Sequence, residues 1–249
     1  MTRLLAALLL LLPLAGCGGP DDEQTITVLA AASLTETFTE LAATFEDEHP
    51  GIEVELVFGS STTLAEQAVD GAPGDVLATA DEKSMTLAED ALADGPDGFV
   101  GNRLALVTPP DNPAGIDGLD DLDDAGVDWV TCVATAPCGA VAAALLESAA
   151  IENPPASEEV DVKAVLARVV QGEADAGLVY RTDAVAAGDA VTEIPTADAD
   201  AFSTTYFVAR LLSDDADRAD LAAEFVTLVR SNQARQVFEK AGFGGIERT

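Results

Sequence analysis

Residues 26–36 read ITVLAAASLTE, an apolar strand that passes through small residues into a helix start carrying hydroxyl groups. Residues 54–64, VELVFGSSTTL, repeat the pattern: a strand ends, a glycine and two serines follow, and a helix begins. The first N–H groups of a helix have no acceptor within it, and the helix dipole adds partial positive charge there. Two such starts facing one cleft would bind an anion without lysine or arginine. Either junction alone is better explained as an ordinary helix N-cap.

The first third of the chain alternates strands with helices. Apolar alternation and turn residues predict strands at 26–29, 52–58 and Val76–Thr79. The helix after the first strand is predicted to begin at a capping box of Ser33 and Glu36, and the next near Thr62 or Thr63, with Thr63 and Glu66 as its box. This β-α-β-α-β order predicts a parallel sheet in a three-layer α/β arrangement.

The remainder of the chain repeats strands and helices after a loop rich in Pro, Gly and Asp at 109–126. Strands are predicted at 102–107, 129–133, 176–179, 192–194 and 202–210, and helices at 140–149, 160–171 and 217–238. The recurrence of both element types beyond the loop indicates a second lobe.

The N-terminus has the features of an export signal. A short basic start is followed by an apolar run at 4–14, which is too short to span a bilayer as a mature helix. Residues 14–17, LAGC, resemble the bacterial lipobox, so we expect a signal peptide at 1–16, a lipid-modified Cys17 and a polar tether at 17–23. The alternative is an ordinary cleaved signal with an incidental cysteine.

The charge of the chain limits its partners. The formal net charge is −33 at pH 7, and removal of residues 1–16 would take away only one charged side chain, Arg3. Such a chain repels nucleic acid and anionic membranes, so no nucleic-acid partner is expected. It also gives no long-range attraction to an anionic ligand, so an anion site must use short-range dipoles.

Two cysteines remain after Cys17. Cys132 and Cys138 lie six residues apart, and an even pair in an exported protein predicts a disulfide. Two free buried thiols are the alternative.

Several enzymatic and metal-binding functions are disfavoured. His49 is the only histidine and there is no G-x-S-x-G motif, which argues against a Ser-His-Asp hydrolase. In the acidic run at 117–128, a calcium loop starting at Asp121 would place Cys132 where a bidentate glutamate belongs, so this run is predicted to be a solvated loop. We therefore expect no catalysis, no cation site and no cofactor.

An ordered set of motifs resembles the molybdate-binding proteins of bacterial ABC importers. The set covers most of residues 25–243 and consists of AAASL (30–34), SSTTLAEQ (60–67), GAPGDV (71–76), GNRL (101–104), GEADAGLVY (172–180) and AGF (241–243). The resemblance implies a type II periplasmic-binding-protein fold, in which two three-layer α/β lobes are joined by hinge strands. It implies lobes at 24–104 plus 203–249 and at 105–202, with the oxyanion between them.

The resemblance also implies an oxyanion-binding set of Ser33, Ser61, Cys138, Val162 and Tyr180. The two serines would each give a hydroxyl and a backbone N–H, and Tyr180 its hydroxyl. Cys138 and Val162 would give backbone N–H groups, although alanine is usual at the cysteine position. A Cys132–Cys138 bridge would then fix the loop that presents one donor.

The implied function is capture of molybdate, and of tungstate, outside the cytoplasm by a monomeric lipoprotein. The protein would be held at the outer face of the cell membrane by its lipid anchor alone. It would deliver the anion to an ABC permease driven by a cytoplasmic ATPase. The alternatives are a binding protein for another tetrahedral oxyanion or a small carboxylate, and an exported hydrolase.

Overall fold

A computed structural model of the chain describes residues 24–196 and 201–246. The predicted signal peptide, Cys17 and the tether lie outside the described residues. Within them the strands are β1 (Gln24–Ala31), β2 (Ile52–Gly59), β3 (Val76–Thr79), β4 (Asp97–Thr108), β5 (Trp129–Cys132), β6 (Ser157–Glu159), β7 (Ala176–Tyr180), β8 (Thr192–Ile194) and β9 (Ser203–Arg210). The α-helices are α1 (Thr35–Glu48), α2 (Ser61–Val69), α3 (Glu82–Leu87), α4 (Pro137–Ser148), α5 (Val162–Val170), α6 (Arg181–Ala187), α7 (Ala216–Val229) and α8 (Asn232–Lys240).

The strands form one hydrogen-bonded sheet in the order β2-β1-β3-β9-β4-β7-β5-β6, with β8 also paired to β4. Strand β1 is parallel to β2 and to β3, and β5 is parallel to β6 and β7. The antiparallel strands β4 and β9 connect these two parallel groups. The parallel β-α-β-α-β unit predicted for the first third is therefore confirmed.

Strand β4 changes its partner along its length. Its residues 97–103 pair with β9, whereas Leu104 to Val107 pair with β7. The buried hydrophobic residues form separate clusters on the two sides of this change. One cluster is drawn from residues 104–194, and the others from residues 26–100 and 206–243.

The first part of the sheet is covered on both faces because successive side chains of a strand point to opposite sides. Ile26 and Val28 of β1 pack in the cluster that contains residues of α1, α7 and α8. Leu29 packs in the cluster that contains residues of α2 and α3. This part is a three-layer α/β arrangement. The helices that follow its parallel strands begin at the edge of the sheet where those strands end.

The second cluster is built around β5, β7 and the end of β4. Trp129 and Leu178 are fully buried there, together with Leu145 of α4 and Val165 of α5. Gly177 of β7 allows α5 to approach closely, since a Cβ atom at this position would lie 2.7 Å from a methyl group of Val169.

The predicted capping boxes are wrong. Ser33 lies in a 3-10 turn, Ala32–Leu34, and α1 begins only at Thr35, so neither Ser33 nor Glu36 caps that helix. Helix α2 begins at Ser61, ahead of the expected Thr62 or Thr63, and has no side-chain cap. Tertiary partners take the serine hydroxyls instead, and local sequence spacing gives no information about these partners.

The single helix predicted over 217–238 is also wrong. Helix α7 ends at Val229, and Ser231 starts α8 by accepting a hydrogen bond from the Ala234 N–H group. A serine that satisfies a backbone donor in this way competes with continuation of the preceding helix. Among the described residues, no helix combines the length and apolar character needed to cross a bilayer.

Candidate functional site

Several chain segments begin a helix at the edge of one small cavity. They are the 3-10 turn before α1 and the N-termini of α2, α4 and α5, with Tyr180 at the N-cap of α6. The structure brings all the sequence-predicted binding residues to the lining of this cavity, namely Ser33, Ser61, Cys138, Val162 and Tyr180. Each helix start presents N–H groups that have no acceptor within the helix.

The cavity suits a small ligand. The space between atoms here is about 220 Å³, part of which is open to solvent. Its described lining contains no lysine or arginine, so donors must be neutral N–H and O–H groups. Such a lining can hold an anion through helix dipoles and hydrogen bonds.

Ser61 is positioned to donate its hydroxyl proton. Its Oγ accepts a hydrogen bond of 2.9 Å from the Ala80 N–H group, and the side chain is 2% exposed. Because a hydroxyl has one proton and two acceptor sites, this bond leaves the Ser61 proton available. Ser61 is also the first residue of α2, so its own N–H is free of an intrahelical partner.

Ser33 is also buried in the lining of the cavity, two residues beyond the end of β1, as Ser61 is two residues beyond the end of the neighbouring strand β2. Its Oγ lies 2.7 Å from the Tyr206 hydroxyl, and either atom can be the donor by distance alone. The turn Ala32–Leu34 places the Ser33 N–H among the unpaired donors that precede α1.

Tyr180 carries a hydroxyl without a protein partner among the described residues. The side chain is 1% exposed, and its oxygen has no hydrogen bond although it is fully buried. Burial, chiefly, raises the pKa of Tyr180 well above its usual value, so the hydroxyl keeps its proton. An unpaired buried hydroxyl costs roughly 1–3 kcal/mol, and a ligand that accepts its proton removes this cost.

Cys138 is the second residue of α4, and a disulfide joins it to Cys132 at the end of β5. The next residue must be glycine, since a Cβ atom at Gly139 would collide with the carbonyl of Val133. The bridge and this close backbone approach both hold the start of α4 against the strand before it.

Val162 is the first residue of α5, and Asp161 caps that helix by accepting a hydrogen bond of 3.0 Å from the Ala164 N–H group. Asp161 also lines the cavity, but its Oδ1 is engaged by the helix start. The next residue, Lys163, does not line the cavity; its ammonium group is 2.7 Å from Glu36 of α1 and 3.0 Å from Asp183 of α6.

Asp183 is a carboxylate that sequence reasoning missed. It is fully buried, and its pair with Lys163 lacks the directional geometry of a hydrogen bond. Burial raises the pKa of Asp183 to about 6, and the nearby Lys163 charge opposes that rise. Across residues 24–196 and 201–246, no cluster of His, Cys, Asp and Glu could hold a metal ion.

Tyr206 and Asn102 were also missed as parts of the site. The Asn102 Nδ2 group lies 3.3 Å from the Tyr206 hydroxyl, and both side chains are buried behind Ser33. The only sequence signals were the position of Asn102 in the GNRL block and the presence of a second tyrosine in a predicted strand.

Comparisons with known proteins agree with this architecture. Residues 26–244 match the family model described as bacterial extracellular solute-binding protein. The molybdate-binding protein ModA of Mycobacterium tuberculosis is 34% identical over 234 residues, which are 93% of this chain and 89% of that protein. This level of identity over nearly the whole of both chains shows common family membership.

Solved structures give the same result. The substrate-binding domain of a putative molybdenum ABC transporter from Clostridium difficile matches with a TM-score of 0.65 and 26% identity, covering 90% of this chain and 99% of that one. The periplasmic molybdate-binding protein of Azotobacter vinelandii shares the fold, with a TM-score of 0.72 and 22% identity over 89% of this chain and all of that one. The fold is thus the periplasmic-binding-protein fold. The chain belongs to the bacterial extracellular solute-binding proteins and, among them, to the ModA family.

Proposed function

We propose that this protein captures molybdate, and also tungstate, in the cavity between the starts of α2, α4 and α5. It then delivers the anion to the permease of an ABC importer, which a cytoplasmic ATPase drives. The observation that carries this proposal is the buried, unpaired Tyr180 hydroxyl, which shares a small cavity without Lys or Arg with several helix N-termini. The names of the ModA relatives and of the Clostridium domain support the choice of ligand.

Neutral donors from several directions are appropriate for a tetrahedral dianion. In this proposal Ser33, Ser61 and Tyr180 donate hydroxyl protons, while Cys138 and Val162 donate backbone N–H groups. Each hydrogen bond to a charged oxygen contributes roughly 1.5–3 kcal/mol. Several such bonds, together with the helix dipoles, offset the loss of the anion's hydration. Capture of this kind forms and breaks no covalent bond and requires no cofactor.

We further propose that residues 24–104 plus 203–249 form one lobe and residues 105–202 the other, and that the lobes close over the anion. Two contacts between these parts support closure. The Thr62 hydroxyl donates to the Thr135 carbonyl over 2.8 Å, and Lys163 pairs with Glu36. Hinge closure around a ligand is a common motion of binding proteins.

The family is extracellular, and the proposal adds a lipid anchor. The LAGC motif at 14–17 supports attachment at Cys17 to the outer face of the cell membrane. In this arrangement the folded part works as a monomer and meets the membrane only through its lipid.

Calorimetry tests the ligand. Molybdate, tungstate, sulfate and phosphate are titrated separately into tag-free protein that lacks residues 1–23. We expect tight binding of molybdate and tungstate, and much weaker binding of the other two. The double variant Ser33→Ala/Ser61→Ala serves as a binding-deficient control. Preference for sulfate or phosphate over molybdate would contradict the proposed ligand.

A further inference from the structure

The hydrogen bonds behind Ser33 form a chain whose direction can be worked out from Asn102. The Asn102 Oδ1 atom accepts a bond of 3.0 Å from the Arg103 N–H group, which can only donate. The amide NH₂ group of Asn102 therefore points the other way. It donates to the Thr182 hydroxyl over 2.9 Å and to the Tyr206 hydroxyl over 3.3 Å.

The Tyr206 hydroxyl oxygen is thus an acceptor from Asn102, and its own proton must go elsewhere. Tyr206 is fully buried, and its remaining hydroxyl contact is Ser33 Oγ at 2.7 Å. If Ser33 donated to Tyr206, the phenol proton would be left buried without an acceptor, which is unfavourable. Burial also raises the pKa of Tyr206 well above its usual value, although its hydrogen bonds with Ser33 and Asn102 oppose this rise, so the proton stays on the phenol.

We infer that Asn102 and Tyr206 are positioning residues, which make Ser33 an acceptor on its protein side and so direct its single proton toward the anion. Ser61 is set in the same way by the Ala80 N–H group. The cavity would therefore offer both serine hydroxyls as donors before the ligand arrives. Such preorganisation favours an anion whose oxygens all accept, and it reduces the cost of binding.

This inference rests on the proposed anion-binding function and goes beyond it, because neither residue lines the cavity. The side chains that hold Tyr206 in place are aromatic. The ring packs against Phe243 and Tyr180 at centroid distances of 5.3 Å and 6.1 Å. Tyr206→Phe therefore removes the hydroxyl while keeping the packing.

A double-mutant cycle tests this chain of hydrogen bonds, with molybdate as the probe and calorimetry as the measurement. We expect Tyr206→Phe to raise the Kd about three- to tenfold, which is somewhat less than the loss of one full hydrogen bond to an anion. In the Ser33→Ala background, the same substitution should leave the Kd within about twofold, because the proton that it directs is already gone. A purely structural role of Tyr206 would give equal effects in both backgrounds.

Asn102→Asp is a second variant that also covers the case in which Tyr206→Phe does not fold. The new carboxylate would accept the phenol proton, so Ser33 would have to donate to Tyr206 instead of to the anion. We expect a larger rise in Kd than for Tyr206→Phe. Only the part due to the added negative charge should persist in the Ser33→Ala background.

Thr37→Val is the matched control, since Thr37 has a buried hydroxyl that donates to the Leu34 carbonyl in the segment just after Ser33. Its Kd should equal that of the wild type. Additive effects in the cycle, or an unchanged or lower Kd for Tyr206→Phe, would overturn this inference but not the proposed function. Failure of the wild type to bind molybdate or tungstate would instead overturn the proposed function, and the inference with it.

Discussion

The Tyr180 hydroxyl and the Asp183 carboxylate are three residues apart, on either side of the start of α6, and both are buried with incomplete pairing. Native proteins pair nearly all buried polar groups, so each exception has a cause. For Tyr180 the cause that we propose is the anion. For Asp183 it is a position at the first turn of a helix, where the dipole favours a negative charge next to Lys163.

Tyr180→Phe separates binding from folding. Because the hydroxyl has no protein partner, its removal should leave the melting temperature unchanged or slightly higher. The Kd for molybdate should rise about ten- to a hundredfold, the value of one hydrogen bond to a charged group. Calorimetry and thermal unfolding of the same sample check both outcomes. An unchanged Kd would remove Tyr180 from the binding set.

Asp183→Asn should change how stability depends on pH. Well below pH 3.8 the carboxyl is protonated in both folded and unfolded chains. The pKa of this carboxyl is near 3.8 in the unfolded state and about 6 in the folded state. Between these two pH values only the unfolded state loses the proton, so the contribution of this group to the free energy of unfolding falls as pH rises. Above pH 6 there is no further change.

The variant lacks this slope. The difference in the free energy of unfolding, variant minus wild type, should therefore increase by on the order of 2–3 kcal/mol between pH 4 and pH 7. Urea unfolding at several pH values measures the difference, and Glu40→Gln, on the exposed face of α1, controls for loss of a carboxylate. A difference that is constant over this range would contradict the raised pKa.

At the scale of elements, the site consists of helix starts, and the question is what holds each start in place. The start of α5 is held by the Asp161 cap, and that of α4 by the disulfide and by the close approach of Gly139 to Val133. A binding group is useful only if it stays close to its productive position, so these supports determine how much of the dipole energy a ligand receives.

Cys132→Ser should loosen the start of α4. With only a short loop closed by the bridge, the free energy of unfolding should fall by about 2 kcal/mol, the low end for disulfides. The Kd for molybdate should rise about two- to fivefold, because the Cys138 N–H must then be ordered on binding. Reductant should bring the wild type to the same Kd and leave the variant unchanged. Equal affinity with and without the bridge would show that it stabilises the fold alone.

At the scale of the whole molecule, β4 and β9 carry the chain between the two parallel groups of strands. Side-chain contacts also join the parts on either side of the cavity. The Lys163–Glu36 pair is one of them and joins α5 to α1. Half of the Glu36 side chain is exposed, so the pair contributes little on its own, roughly 0–1 kcal/mol.

Glu36→Gln should weaken the closed arrangement and raise the Kd for molybdate about two- to threefold. Removal of a negative charge near an anion would by itself lower the Kd, so the direction of the effect is informative. Glu40→Gln, one turn further along α1, removes the same charge without the pair and should leave the Kd equal or lower. A lower Kd for Glu36→Gln would show that the pair does not support closure.

Much of the fold could be predicted because local pattern and topology agree. Alternation placed β1, β2 and β3, and parallel strands need helical crossovers, so the α/β class followed. The break between α7 and α8 was missed because one serine cap outweighed a continuous apolar pattern. The family and the list of residues around the cavity came from ordered motifs whose meaning depends on resemblance.

The sequence by itself determined the alternation of strands and helices, the acidic character and the hydroxyl-bearing junctions. These features are encoded by neighbouring residues and by composition. Tertiary structure alone decided that the hydroxyl of Ser33 meets Tyr206 and not its own helix, that Asn102 lies behind them, and that Asp183 is buried. The bond between Ser33 and Tyr206 joins residues 173 positions apart, and no periodicity or spacing reaches that far. Such contacts exist only once the sheet has brought β4, β9 and the first helix start together.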